Sequence, residues 1–136
     1  MIFLDTNVVI HFNKRSSPQL VKRVTSASDD GQILVLPVIA FLELEVGARG
    51  SAWPEIARSR LEKFLAIVVE IIPFEQADAL VAADLRAELE RKGQVIGAYD
   101  LLIAAQVLRR GALLVSNSTR EFSRVPDLLL EDWLQN

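Results

Sequence analysis

The sequence predicts an α/β domain built on a parallel sheet with helices over both faces. Short runs rich in apolar and β-branched residues recur at 2–4, 33–36, 68–72 and 113–115. Segments of helical periodicity separate them. Strands that are apolar at every position, rather than every second one, belong to sheets buried on both sides. The 136 residues suffice for one domain. Surface scaling leaves roughly 7,000 Å² exposed from roughly 22,000 Å² in the unfolded chain. With no internal repeat, low-complexity tract or linker, 1–136 reads as a single domain.

Each element follows from local chemistry. Ile2-Phe3-Leu4 is a buried strand ending at Asp5, and Thr6-Asn7 can cap a short helix through about Asn13. Ser16-Ser17-Pro18 breaks the chain, and Pro18 suits a first helical turn before Leu20, Val21, Val24 and Ala27. Asp29-Asp30-Gly31 is a turn. The strand 33–36 stops at Pro37, and a helix carrying Ile39, Leu42, Glu43 and Val46 runs to Gly50-Ser51. Trp53-Pro54 opens a further helix, with Ile56, Leu61, Phe64 and Leu65 as its apolar face. Residues 68–72 form a third strand, closed by Pro73. Residues 76–91 form an amphipathic helix that points Ala77, Leu80, Val81, Leu85 and Leu89 inward. Gly97 precedes a helix from Ala98 to Arg110, and Gly111 ends it. Residues 113–115 are the fourth strand and 116–120 a polar loop. The tail holds a last short strand within 125–130, with Trp133 as its anchor.

Composition removes several kinds of chemistry. Cysteine is absent, which excludes disulfide frameworks, thiolate metal sites and thiol nucleophiles. A single histidine excludes multi-His metal sites. The net charge of −3 and pI near 5.2 argue, at face value, against a nucleic-acid partner. No signal segment or membrane-length apolar stretch is evident, so the expected location is the cytoplasm.

In open parallel sheets, ligands sit beyond the carboxyl ends of the strands. Asp5 ends the first strand, Glu43 lies about two turns past the second, Asp100 opens the helix after Gly97, and Glu121 follows the fourth strand. Singly, each acid has a structural explanation as a helix cap, a dipole partner or a solvated residue. However, Glu43 lies within the apolar run 38–44, and Asp100 precedes Leu101-Leu102-Ile103-Ala104-Ala105. Unpaired carboxylates in such surroundings are costly, and a divalent cation reverses that cost. An all-oxygen site of this kind suits Mg²⁺, with Mn²⁺ as the substitute, and phosphodiester hydrolysis is the matching chemistry.

At these residues the chain resembles PIN-domain ribonucleases, in particular VapC-type toxins of bacterial toxin–antitoxin pairs. The resemblance rests on Leu4-Asp5-Thr6-Asn7, Glu43-Leu44-Glu45-Val46-Gly47, Ile96-Gly97-Ala98-Tyr99-Asp100-Leu101, and Val115-Ser116-Asn117 running to Glu121-Phe122. It implies a three-layer α/β/α sandwich on a mostly parallel sheet of four to five strands. It also implies a Mg²⁺-dependent endoribonuclease that leaves 5′-phosphate and 3′-hydroxyl ends, with Asp5, Glu43 and Asp100 as metal-site acids. The family's usual fourth acid falls at Ser118, and Glu121 is the substitute. Thr6 orients Asp5 or a water, while Asn7, Asn117 and Ser118 contribute hydrogen bonds. Gly47 either packs closely or leaves space beside Glu43. Arg86-Ala87-Glu88-Leu89 and the segment 117–133 resemble toxins acting on initiator tRNA. A homodimer silenced by a VapB antitoxin is the implied assembly. The alternative is a catalytically silent PIN-like binding module, which Ser118 favours.

His11 reads as partly buried, Phe64 as core, and Trp53 as either core or partner groove. Arg15, Lys22, Arg23, Arg49, Arg120 and Arg124 are candidate phosphate contacts, each with solvated surface as its plainer explanation. Setting aside Asp5, Glu43, Asp100 and Glu121 leaves 15 basic residues against 14 acidic ones. The charge balance therefore does not exclude RNA.

Overall fold

The apolar triplet at the start of the chain forms the middle of the sheet. The computed structural model describes residues 1–135. Strand β1 (Ile2–Leu4) pairs in parallel with β2 (Leu34–Pro37), setting Ile2 against Leu34. On its other side it pairs in parallel with β4 (Leu113–Val115), setting Leu4 against Val115. Strand β3 (Glu70–Ile72) continues the sheet beyond β2, and β5 (Leu129–Glu131) beyond β4. The order is β3-β2-β1-β4-β5, with every pairing parallel. All three β1 residues are buried, as a central strand covered on both faces requires.

Helices flank this sheet in the three-layer arrangement. Helix α1 (Thr6–Lys14) follows β1, and α2 (Pro18–Asp29) is capped by Ser17, whose hydroxyl accepts from the Leu20 N–H. Helices α3 (Val38–Arg49) and α4 (Pro54–Leu65) link β2 to β3. Helices α5 (Gln76–Arg91) and α6 (Ala98–Arg109) pack together between β3 and β4. The short α7 (Thr119–Phe122) precedes β5, so the predicted polar loop turns helical at its end. Phe12 and Phe64 meet edge-to-face at 5.2 Å, joining α1 to α4. Trp133 is buried and donates its indole N–H to Glu131, anchoring the tail as predicted. Among the described residues, no helix is long and apolar enough to cross a membrane.

The chain runs β1, β2, β3 toward one edge, then returns beside β1 as β4 and continues to the other edge. The switch in direction lies between β1 and β4, where open α/β sheets bind ligands.

Some sequence expectations change. Ile33 lies outside β2 and is exposed, because the register with β1 begins at Leu34; Pro37 is the last residue of the strand rather than the stop beyond it. Val69 is likewise exposed and precedes β3. On α5, Leu85 and Leu89 are buried, but Ala77 and Leu80 face solvent. The inward stripe is instead Asp78, Ala82, Leu85 and Leu89. The cause is Asp78, which is fully buried. Its carboxylate accepts from Arg109 at the end of α6, from Arg110 just beyond it, and from the Glu75 backbone N–H. Burial pushes its pKa up, but the hydrogen bonds from Arg110 and Arg109 outweigh burial and hold it below 3.8. The Asp78 contribution to stability is therefore complete above pH 3.8 and is lost as pH falls through the lower folded value.

Replacing Asp78→Ala leaves two arginines without their buried partner. Denaturant unfolding at neutral pH is expected to show a loss of about 3–5 kcal/mol. A loss under about 1 kcal/mol would mean that solvent already screens the cluster.

Candidate active site

The end of β1 fixes the first acid. Asp5 is the N-cap of α1: its Oδ1 accepts from the Thr6 N–H at 2.8 Å. Its own N–H donates to the Val115 carbonyl, so it continues the β1–β4 ladder by one residue. Ser116, at the corresponding end of β4, donates its hydroxyl to Asp5 Oδ2 at 2.7 Å. Both residues are buried, Asp5 to 3% exposure. Ser116 is the site residue whose role went unread in the sequence. Its signal is a lone hydroxyl directly after a wholly apolar strand.

Helix α3 brings Glu43 alongside. The Thr6 hydroxyl donates to Glu43 Oε1 at 2.8 Å. Thr6 thus holds Asp5 through its backbone and Glu43 through its side chain, whereas the sequence reading had its hydroxyl orient Asp5 or a water. The Asn7 amide donates to the Ser118 hydroxyl at 2.9 Å, and its Oδ1 accepts from the Asn117 N–H at 3.4 Å. Asn7 therefore fastens the loop after β4 to α1. Asn117 meets His11 Nε2 at 3.5 Å, and the other ring nitrogen of His11 faces Ser16. His11 is partly buried, as expected.

Helices α6 and α7 supply the remaining pair. Asp100 sits in the first turn of α6 and Glu121 in α7, and the two carboxyl groups hydrogen-bond. Gly97 adjoins both. A Cβ there would lie 3.7 Å from Asp100 Oδ2 and 3.9 Å from Glu121 Oε2, in ordinary contact with both carboxylates. The fold thus brings Asp5, Glu43, Asp100 and Glu121 from four separate segments to the switch point of the sheet.

The electrostatics reflect this crowding. Burial pushes Asp5 above the usual carboxylate value; the bonds from Ser116 and Thr6 oppose the shift, and the charge of Glu43 adds to it. Burial likewise pushes Asp100 up to about 7, reinforced by the hydrogen bond with Glu121 and by the charges of Asp5, Glu121 and Glu43. Glu121 is held low, chiefly by the hydrogen bond from Asp100, with the Gly97 backbone N–H, Arg124 and Arg120 assisting against burial. Asp100 and Glu121 therefore titrate together, Asp100 held high and Glu121 held low. Among the described residues, no ion pair engages any of the four acids. Nor do three or more Asp, Glu or His side chains among them close into a ready-made cation cage. The donors at the site are all oxygens, a set that suits a hard divalent cation.

The remaining expectations sort as follows. Trp53 is 72% exposed and not core, whereas Phe64 is buried. A Cβ on Gly47 would meet no atom within 4 Å, so close packing is not its role. Arg49 pairs with Glu45, and Arg23 pairs with Glu131 and lies over the Trp133 ring. Arg15 lies over Phe12, and Arg124 donates to the Val95 carbonyl.

Comparison with known proteins identifies the family. The family model described as "PIN domain" matches residues 2–128, and the chain belongs to that family. Within it, the chain is of the VapC ribonuclease type. It is 34% identical to Ribonuclease VapC2 of Rickettsia felis over 130 residues, 96% of each chain. It is 33% identical, over the same share of both chains, to the tRNA(fMet)-specific endonuclease VapC of Salmonella typhimurium. Its fold is similar to VapBC2 from Rickettsia felis, solved bound to a promoter DNA fragment. That match has a TM-score of 0.90 and 32% identity, covering 98% of this chain and 99% of that one.

The raised Asp100 pKa has a consequence for stability. A carboxyl whose folded pKa is raised loses stability as pH climbs from its unfolded value toward the folded one, here from 3.8 to about 7. In chelator, stability should fall across that window. Asp100→Asn should flatten the fall and stabilise the protein at pH 8 by roughly 1–2 kcal/mol, allowing for solvent screening. Thermal melts across pH provide the check, and an unchanged slope in the variant contradicts the crowding.

Proposed function

We propose that this chain is the toxin of a toxin–antitoxin pair: an endoribonuclease that hydrolyses phosphodiester bonds with a divalent cation, Mg²⁺ or Mn²⁺, held by its clustered acids. The observation that carries this reading is four carboxylates at the sheet's switch point with no ion-pair partner among the described residues. In this reading Asp5 and Asp100 are ligands. Glu43 ligates or hydrogen-bonds water, and Glu121 takes the place of the usual fourth acid. A bound divalent cation lowers the pKa of water in the site and neutralises charge developing on the phosphoryl and leaving oxygens.

The chain's own residues do the rest. Ser116 and the Thr6 N–H fix both oxygens of Asp5. The Thr6 hydroxyl fixes Glu43. Asp100, which burial and its acidic neighbours hold high, would have to be ionised to hold a cation, and Glu121 beside it is held low. Asn7, Asn117 and Ser118 hold the loop that carries Glu121 against α1.

The substrate in this reading is structured RNA, with initiator tRNA the foremost candidate, because the Salmonella typhimurium relative is named for tRNA(fMet). The partner is a VapB-type antitoxin, as the solved VapBC complexes support. A homodimer acting in the cytoplasm completes the proposal. The silent-module alternative rests on Ser118. It weakens because Glu121 supplies a carboxylate against Asp100 and the relatives are nucleases by name.

With a purified tRNA pool and Mg²⁺, Asp5→Asn and Asp100→Asn should each lower cleavage by more than about 100-fold, and Thr6→Ala or Ser116→Ala by about 10–100-fold. Chelation should abolish cleavage. If either aspartate variant retains full activity, or no RNA is cut, the assignment fails.

A further inference from the structure

The acid-rich site must receive an anionic polymer, yet much of the chain's positive charge is already committed. Arg23, Arg49, Arg58, Arg86, Lys92, Arg109 and Arg110 all form ion pairs. Lys14 and Arg60, two exposed cations that form no ion pair among the described residues, line one cleft together with Glu43. The cleft, of about 280 Å³, lies between the last turns of α1, the second half of α3 and the middle of α4. That is near the lower end of the roughly 300–1,000 Å³ of small-ligand sites. Leu44 and Leu61 form its apolar floor, both buried.

We infer that this cleft seats the RNA strand to one side of the scissile phosphate. Lys14 and Arg60 contact its phosphates, and the floor takes the face of an unstacked base. The inference rests on the ribonuclease reading above and extends it to where the strand lies. Three observations converge on it. Glu43 belongs to both the carboxylate cluster and the cleft wall, so the two are continuous. Two cations over an apolar floor are the combination that tracks single-stranded nucleic acid. Gly47 lies one turn beyond Glu43 on the cleft wall, where a Cβ would meet nothing within 4 Å. A glycine inside a helix costs about 1 kcal/mol relative to alanine. No packing contact explains it here, whereas an open cleft does.

The test uses the full chain and a fluorescently labelled, purified tRNA pool. Binding is read by anisotropy against KCl concentration in the cleavage-silent Asp100→Asn background, and cleavage kinetics in the otherwise wild-type chain. Lys14→Gln combined with Arg60→Gln should weaken binding roughly 5–20-fold and flatten the log–log salt slope by about 1.5–2. In cleavage, KM should rise by a similar factor with kcat unchanged. Gly47→Leu, which fills the cleft without altering charge, should raise KM and leave the salt slope intact. Arg91→Gln, an exposed cation outside the cleft, should change neither. If the wild-type chain cuts RNA while the double variant keeps its affinity, salt slope and KM, the cleft assignment is overturned and the nuclease reading stands. If the wild-type chain cuts nothing but the double variant still loses binding and slope, the nuclease reading fails and the RNA seat holds. Unchanged RNA binding with lost co-purification of a co-expressed antitoxin would give the cleft to a protein partner and likewise overturn the proposal.

Discussion

Crowding of like charge around Asp5 is the constraint on which the site depends. Asp5 closes the central strand, caps α1 and receives the Ser116 hydroxyl from the neighbouring strand end. Its position is thus set by the sheet itself. Glu43, Asp100 and Glu121 arrive from three helices and add charge where water is scarce. The cluster raises the Asp5 and Asp100 carboxyls and makes Asp100 and Glu121 titrate together. The sheet order permits this because the reversal between β1 and β4 opens a crevice where helix starts and strand ends meet.

The same chain shows the opposite solution for a buried acid. Asp78 is fully buried, yet two arginines and a backbone N–H hold its carboxyl low. That acid ties α5 to α6 and serves the fold. Asp5 is almost as buried, but its partners are one hydroxyl and one N–H. The contrast separates an acid placed for stability from one kept available, and residue type alone could not make that distinction. A net charge of −3 is then compatible with an RNA substrate, because the acids are concentrated and two cations without an ion pair among the described residues line the adjoining cleft.

Much of the fold was legible because its central strands are apolar at every position and Gly, Pro and Ser mark the breaks between elements. The α5 face was misread at Ala77 and Leu80 because hydropathy cannot show that an aspartate will be drawn inward by arginines some thirty residues later. Glu43 and Asp100 stood out as acids set against apolar runs, and Asp5 as the acid that ends the first strand. The partners were less visible. Ser116 acts on Asp5 only because β4 lies beside β1, and Thr6 reaches Glu43 only because α3 packs near α1. Gly47 carried two readings in sequence, and only the space around it in the folded chain removes one.

In the proposed reading the crowded acids hold a divalent cation. Calorimetric titration of Mn²⁺ in buffers of different ionisation enthalpy measures it most directly. Saturable binding should release about one proton per ion near pH 6 and far less near pH 8.5, because Asp100 must ionise to accept the cation. Asp100→Asn should remove that release. Absence of saturable binding, or proton release that does not vary with pH, would contradict it.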